Sequence, residues 1–170
     1  MNSELRIAGI IEESIVDGPG IRFVVFAQGC NHHCPGCHNP ETQPFDRGTM
    51  VRVETLLRQM LKNPLLDGLT LSGGEPFEQA EILAELAAQV QEKGLNVITY
   101  TGYIYEEIIA NAAKRPGWSR LLEHTDILVD GRFELAQRNL LLKFRGSENQ
   151  RLIDVKKSLE SGKVQEAVIL

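Results

Sequence analysis

The chain has 170 residues, 42% of them hydrophobic and 24% charged, with a formal net charge of −5 at pH 7. We predict one domain over residues 1–170, with a core of about 5–155 and a C-terminal extension of 156–170, because two full domains would be cramped at this length. The negative charge argues against a nucleic-acid partner. Without a long apolar run or a signal-peptide pattern, the chain is predicted to be cytoplasmic, with no membrane partner.

Strands and helices alternate along the first part of the chain. Residues 21–27 are almost continuously apolar, as expected for a strand that is buried on both faces of a parallel sheet. A turn with the sequence Asp-Gly-Pro-Gly precedes this strand at 17–20. The other predicted elements in this part are strands at 5–11, 68–71 and 95–100, a helix at 53–61 and a longer helix around 80–90.

The second part of the chain predicts a helix at 105–113 and a strand at 126–130, followed by weaker strand candidates at 140–144, 152–155 and 164–170. This alternation indicates an α/β fold. A complete eight-fold barrel takes about 250 residues, so we predict a partial, open β/α barrel with a mostly parallel sheet of about five or six strands. Ligands of such folds lie beyond the carboxyl ends of the strands.

All three cysteines lie within eight residues, in the sequence Cys30-Asn-His-His-Cys34-Pro-Gly-Cys37, directly after the apolar strand. Three thiolates without a fourth favour a [4Fe–4S] cluster with one iron open to a small molecule. The alternative is a zinc site in which a histidine of the same segment is the fourth ligand. Structural zinc sites usually use two separated ligand pairs, so the compact spacing favours the cluster.

A second motif, Ser72-Gly-Gly-Glu-Pro76, follows the strand predicted at 68–71. Gly73 and Gly74 would let a ligand approach the backbone closely, because neither has a Cβ atom. Glu75 adds a carboxylate suited to an ammonium group. The alternative is a tight turn with a solvated glutamate. We expect this turn, the cysteine loop and a turn at 101–103 to lie at the same edge of the sheet.

The two motifs together resemble the radical S-adenosylmethionine superfamily. The resemblance implies that S-adenosylmethionine chelates the open iron. It also implies that one electron splits the sulfonium bond and that a 5′-deoxyadenosyl radical takes a hydrogen atom from the substrate. The predicted metal ligands are Cys30, Cys34 and Cys37, and the predicted cofactor-binding residues are Gly36, Cys37, His38, Gly73, Gly74, Glu75 and Asp130.

Further segments resemble the glycyl-radical-enzyme activases, and most closely the branch that acts on the anaerobic ribonucleoside-triphosphate reductase. They are Val16-Asp-Gly-Pro-Gly-Ile-Arg22, Thr101-Gly-Tyr103, Asp126-Ile-Leu-Val-Asp-Gly-Arg-Phe133 and Phe144-Arg-Gly-Ser-Glu-Asn-Gln-Arg151. This resemblance implies an anaerobic oxidoreductase that forms a glycyl radical on the large reductase subunit, with a reduced flavodoxin-like electron donor. Two alternatives stay open: an activase of another glycyl radical enzyme, such as the pyruvate formate-lyase type, and a zinc-stabilised interaction module.

Several residues are assigned within this resemblance. The position before the third cysteine, usually aromatic in the superfamily, is Gly36, so adenine contacts are assigned to the backbone of residues 36–38. Asp130 ends a predicted strand and is assigned to a cofactor hydroxyl or a bound cation, with a plain turn residue as the equal alternative. The polar segment 145–151 suits either partner contact or a surface loop.

Overall fold

The computed structural model describes residues 3–168 and contains one seven-stranded sheet. Its strands are β1 (Glu4–Ser14), β2 (Arg22–Ala27), β3 (Thr49–Arg52), β4 (Gly68–Gly73), β5 (Asn96–Tyr100), β6 (Ile127–Asp130) and β7 (Arg151–Asp154). The spatial order is β3-β1-β2-β4-β5-β6-β7. The four central strands, β2, β4, β5 and β6, are parallel, while β1, β3 and β7 pair antiparallel at the two sides.

Five helices complete the fold: α1 (Val53–Leu61), α2 (Ala80–Glu92), α3 (Tyr105–Asn111), α4 (Trp118–Glu123) and α5 (Val155–Ser161). Apolar residues at helical spacing give α1 and α2 one buried face each. In α2 this face includes Leu83, Leu86 and Val90, which share one core with alternate strand residues such as Phe23 and Leu69. The strands therefore bury one face of the sheet against the helices.

The other face of β2 carries Arg22, whose side chain is fully buried. Its guanidinium donates to Thr70 Oγ1 at 2.7 Å, to the Leu69 carbonyl at 2.8 Å and to the Pro19 carbonyl at 3.0 Å. Burial lowers the pKa of Arg22 to about 10. Thr70 donates in turn to the Asp17 carbonyl at 2.9 Å. The Asp-Gly-Pro-Gly turn is therefore held across this face of the sheet.

The α/β class and the parallel centre of the sheet are confirmed. The sheet is open and has seven strands rather than five or six, because no sequence pattern indicates the edge strand β3. The strand predicted at 140–144 is wrong. This segment forms turns and bends within an irregular loop, where Leu140 and Leu141 are 78% and 91% exposed. Closure of the sheet into a partial barrel stays a prediction.

The C-terminal extension reaches the sheet edge beyond α5. Asp154 N donates to the Gln165 carbonyl at 2.9 Å, and Ala167 N donates to the Leu152 carbonyl at 2.8 Å. The strand predicted at 164–170 is thus an isolated bridge to β7 within the described residues, and positions 169 and 170 lie outside them. Between residues 3 and 168, no helix has the length and apolar character needed to cross a membrane.

Candidate functional site

The cysteine loop begins where β2 ends, at the carboxyl edge of the parallel strands. Cys30, Cys34 and Cys37 are free thiols, and each is partly exposed. The loop is anchored on the segment that follows it: Gly29 N donates to the Thr42 carbonyl at 2.6 Å, and Cys30 N donates to the Gln43 carbonyl at 2.9 Å. These bonds hold the loop as a closed turn.

Each of the three cysteine sulfurs is approached by a backbone N–H group. The groups belong to His32 at Cys30, Phe133 at Cys34 and Asn39 at Cys37, the last at 3.4 Å. Burial raises the pKa of the Cys30 thiol to about 11, and the nearby N–H opposes this shift. Burial raises the pKa of Cys34 as well. N–H donors to sulfur are a feature of iron–sulfur sites, so the donor set fits thiolate ligation of such a cluster.

A cavity of about 370 Å³ opens at this edge of the sheet. It is bounded by the carboxyl ends of the parallel strands, as expected for a ligand site in an α/β fold. Its walls include Cys30, Cys34, Cys37, Gly73, Gly74, Thr101, Gly102 and Gly131. The prediction that the cysteine loop, the 72–76 turn and the 101–103 turn meet at one edge is therefore confirmed.

Gly73 and Gly74 pack closely against the start of the cysteine loop. A Cβ atom on Gly73 would lie 2.6 Å from the Ala27 nitrogen, and one on Gly74 would lie 2.4 Å from the Gly29 carbonyl oxygen. Gly74 N donates to the Ala27 carbonyl, and Glu75 N donates to the Gly29 carbonyl, both at 2.8 Å. Close packing of two backbones thus explains the glycines. Because both also line the cavity, their contact with a ligand stays a prediction.

Replacing Gly74 with alanine is expected to destabilise the protein by about 1–3 kcal/mol, since the new methyl group meets backbone atoms that cannot move aside alone. The cysteine loop must shift, so iron incorporation should fall too. Thermal unfolding and iron analysis after reconstitution measure the two effects. Gly9→Ala is the matched control, because a Cβ at Gly9 has no atom within 4 Å. Equal stability of the two variants would contradict the packing.

Glu75 is fully buried beneath this turn. Its Oε1 atom accepts hydrogen bonds from His32 Nε2 at 2.6 Å and from Gly102 N at 2.7 Å. Thr101 Oγ1 lies 2.9 Å from both carboxylate oxygens, and Phe77 N donates to Oε2 at 3.0 Å. The carboxylate thus connects the cysteine loop, the 101–103 turn and the turn that contains Glu75 itself.

These contacts rule out the interpretation of Glu75 as a solvated turn residue. The side chain is not solvated, because its exposure is 0%. A carboxylate offers about four acceptor sites, and four protein donors occupy them in the described structure. The direct contact of Glu75 with an ammonium group stays a prediction.

Asp130 ends β6 and is also fully buried. It accepts hydrogen bonds from Tyr105 N at 2.8 Å and from Arg151 Nη2 at 2.5 Å, and its carboxylate raises the pKa of Arg151. Its carboxylate therefore joins β6, β7 and the first turn of α3, and a contact of Asp130 with a cofactor hydroxyl or a bound cation stays a prediction. The next two residues, Gly131 and Arg132, line the cavity.

The histidines of the cysteine loop have separate surroundings. His32 lies against Glu75, while His33 Nδ1 lies 3.3 Å from Gln43 Oε1, and the ring of His38 packs on Phe133 with centroids 4.9 Å apart. Among residues 3–168, no three or more His, Cys, Asp and Glu side chains are gathered around a position for a single metal ion. Ligation of a cluster by the three thiols stays a prediction.

Sequence reasoning assigned no individual role to several cavity residues. Tyr100, Arg132, Phe133, Phe144 and Arg145 all line the cavity. The position of Arg132 and Phe133 directly after β6, at the same carboxyl edge, is a signal that could have identified them. Phe144 and Arg145 lie in the irregular loop before β7, and nothing in the local pattern shows that this loop folds back over the cavity.

Three free thiols with N–H donors, at the ligand edge of a parallel sheet, are the kind of ligand set that iron–sulfur proteins use. Residues 16–153 match the family described as a 4Fe-4S single cluster domain, which is most of the chain. The chain belongs to this family and, within it, to the radical S-adenosylmethionine activases of glycyl radical enzymes.

Several relatives support this membership. The anaerobic ribonucleoside-triphosphate reductase-activating protein of Enterobacteria phage T4 is 34% identical over 147 residues, 81% of this chain and 86% of its own. The protein with the same description from Escherichia coli K12 is 32% identical over 152 residues, 80% of this chain and 90% of its own.

A third relative is longer than this chain. The pyruvate formate-lyase-activating enzyme of Clostridium pasteurianum is 37% identical over 130 residues, 73% of this chain, and the chain spans 50% of that enzyme's length. Among solved structures, QueE from Escherichia coli has a TM-score of 0.47 and 16% identity, over 58% of this chain and 53% of its own.

Proposed function

We propose that this chain cleaves S-adenosylmethionine reductively at a [4Fe–4S] cluster. It thereby generates a glycyl radical on the large catalytic subunit of an anaerobic ribonucleoside-triphosphate reductase. The observation that supports this most is the meeting of three free thiols, their N–H donors and the glycine-rich 72–76 turn in one cavity. The two reductase-activating relatives, which align over about four-fifths of the chain, support the choice of substrate.

In this proposal Cys30, Cys34 and Cys37 are the three protein ligands, which leaves one iron open. When bound, the cluster and S-adenosylmethionine supply a 5′-deoxyadenosyl radical able to take a hydrogen atom from a backbone glycine. The chain contributes sulfur ligands, N–H groups that stabilise the thiolates, and a cavity that orients the cofactor. No side chain is required as an acid or a base.

The remaining site residues either bind the cofactor or hold other residues in position. The backbone of Gly36, Cys37 and His38 would contact the adenine, and the backbone of Gly73 and Gly74 would contact the methionine end. We infer that Glu75 is a positioning residue, because its contacts hold the cysteine loop against the 72–76 turn. Asp130 likewise positions Arg151 and the start of α3.

The mouth of the cavity suits a polypeptide substrate. Val16 and Leu142 line the cavity, and their neighbours Ile15 and Leu141 are exposed apolar side chains. Exposed apolar patches of this kind commonly mark protein contacts. In this proposal residues 1–170 are one domain whose partial, open barrel admits the glycine loop from the side. A reduced flavodoxin-like protein is the expected electron donor, with no nucleic acid or membrane involved.

A second candidate is an activase of the pyruvate formate-lyase type. The Clostridium pasteurianum enzyme supports it, since its 37% identity over 130 residues exceeds that of the two reductase-activating relatives. Its greater length favours the first candidate, because those two relatives are matched over 86% and 90% of their own length. The glycyl radical enzyme that is activated distinguishes the two candidates.

Anaerobic reconstitution with iron and sulfide tests the proposal. We expect about four iron and four sulfide ions per chain and a spin-resonance spectrum of the reduced protein that changes when S-adenosylmethionine is added. Zinc without acid-labile sulfide, in protein prepared anaerobically, would contradict it. The reconstituted protein is then incubated with the reductase subunit or with pyruvate formate-lyase. A glycyl-radical signal on the reductase alone supports the first candidate, and one on the lyase alone supports the second.

A further inference from the structure

Phe133 lies where the segment after β6 meets the cysteine loop. Its ring is half-buried in the cavity wall, and it packs on the His38 ring at a centroid distance of 4.9 Å and an interplanar angle of 52°. The backbone N–H of the same residue donates a hydrogen bond to the Cys34 sulfur. The position of the ring relative to the proposed cluster ligands is therefore restrained from two sides.

Two glycines make room for this ring. A Cβ atom on Gly36 would lie 3.4 Å from Phe133 Cε1 and 3.1 Å from Leu135 Cδ1. A Cβ atom on Gly146 would lie 3.0 Å from Phe133 Cδ2 and 3.2 Å from Cε2. Gly36 also has a φ of +74°, which side-chain-bearing residues rarely adopt. The ring thus occupies space that side chains at 36 and 146 would otherwise restrict.

Two other aromatic rings of the cavity, those of Tyr100 and His32, are engaged elsewhere. The Tyr100 hydroxyl donates to the Phe144 carbonyl at 2.6 Å, and His32 is bonded to Glu75 with a side-chain exposure of 3%. Phe133 instead contacts residues 36–38, the stretch whose backbone we assign to the adenine. A half-exposed aromatic ring is a suitable surface for a nucleobase, because stacking needs only a flat π-face.

We propose that Phe133 is the surface on which the adenine of S-adenosylmethionine stacks. This inference rests on the proposed function and adds a specificity-determining side chain to it. The ring would hold the base beside the backbone of residues 36–38, so the methionine end would point toward the 72–76 turn. Phe133 would therefore select the nucleoside part of the cofactor and leave recognition of the amino-acid part to Gly73 and Gly74.

Titration calorimetry on the anaerobically reconstituted protein tests this, with S-adenosylmethionine, 5′-deoxyadenosine and methionine as separate probes. Phe133→Ala and Phe133→Leu should bind S-adenosylmethionine and 5′-deoxyadenosine about tenfold more weakly, as expected for a lost stacking surface, while methionine affinity stays unchanged. Phe133→Tyr should bind all three probes like the natural protein. Phe133→Leu keeps an apolar side chain against His38, so it separates stacking from packing.

Leu135→Ala is the matched control, because Leu135 contacts the same Gly36 position without lining the cavity; it should leave all three affinities unchanged. Unchanged 5′-deoxyadenosine affinity in both Phe133→Ala and Phe133→Leu would overturn the inference. An equal loss for methionine would also overturn it, since Phe133 would then only shape the cavity. Failure of the natural protein to bind S-adenosylmethionine would instead contradict the proposed function.

Discussion

Replacing any one of Cys30, Cys34 and Cys37 with alanine is expected to abolish 5′-deoxyadenosine production. Each thiol lies at the same cavity and has a backbone N–H donor at its sulfur. Because three protein ligands are the whole set in this proposal, none of the remaining side chains can substitute for a lost one. We expect iron content and the cluster absorbance to fall with activity, which should be below one-thousandth of the natural level.

His33→Asn is the control for the cysteine variants. His33 lies in the same loop, its backbone φ is 51°, and asparagine tolerates this conformation better than alanine does. The variant should keep its cluster and its turnover. Loss of metal in His33→Asn, together with bound zinc in the natural protein, would support the zinc-stabilised module. Full turnover in any single-cysteine variant would contradict the ligand assignment.

The centre of the sheet could be predicted because its strands are recognisable individually. The apolar run of β2 is buried along nearly its whole length. β3 could not be predicted, because Thr49–Arg52 is mostly exposed and forms only by pairing with β1. The segment 140–144 was wrongly predicted for the opposite reason. It is apolar enough for a strand, yet in the described structure it pairs with no strand, and Leu140 and Leu141 are exposed.

Helix α4 was not predicted from the sequence, for a related reason. Pro116 and Gly117 are typical of a loop, and Gly117 does adopt a φ of +79° just before the helix. Trp118 begins α4 because its ring is buried and its Nε1 donates to the Phe77 carbonyl at 2.9 Å. That contact spans 41 residues of sequence, so no local pattern reveals it.

The part of the candidate site that is formed by residues close together in the sequence was predictable. The cysteine spacing and the strand-end rule placed Cys30, Cys34 and Cys37 at the correct edge of the sheet. The protein contacts of Glu75 and Asp130 were not predictable, because each depends on donors from distant segments. A carboxylate next to two glycines suggests a ligand contact, and only the fold shows that protein donors occupy its acceptor sites.

Replacing Glu75 with alanine is expected to destabilise the protein strongly even without cofactor. The change leaves four donors, from His32, Phe77, Thr101 and Gly102, without their buried acceptor. Each such group costs about 1–3 kcal/mol, so a total of about 4 kcal/mol or more is expected, against a typical stability of about 5–15 kcal/mol. Thermal unfolding of the cofactor-free protein should show a midpoint lower by roughly 10 °C or more.

Glu75→Gln separates positioning from direct cofactor contact. The amide group keeps the side-chain volume but directs its NH₂ at a protein donor. Without cofactor, the stability of Glu75→Gln should therefore lie between that of the natural protein and that of Glu75→Ala. The exposed Glu81→Gln is the matched control and should leave the midpoint unchanged. If Glu75 contacted the cofactor directly, Glu75→Gln would instead lower S-adenosylmethionine affinity at unchanged stability, which would contradict the positioning role.

The pair His32 and Glu75 provides the last test, because their bond of 2.6 Å is the side-chain connection between the cysteine loop and the 72–76 turn. Residues in direct contact show non-additive effects on stability, whereas independent residues add. His32→Gln combined with Glu75→Gln should therefore lose less stability than the two single changes summed. The same double-mutant cycle, measured on iron content, should show coupling of the same sign, because this bond helps to hold the loop that carries the proposed ligands. Strict additivity in both measurements would show that Glu75 stabilises its own turn without positioning the cysteines.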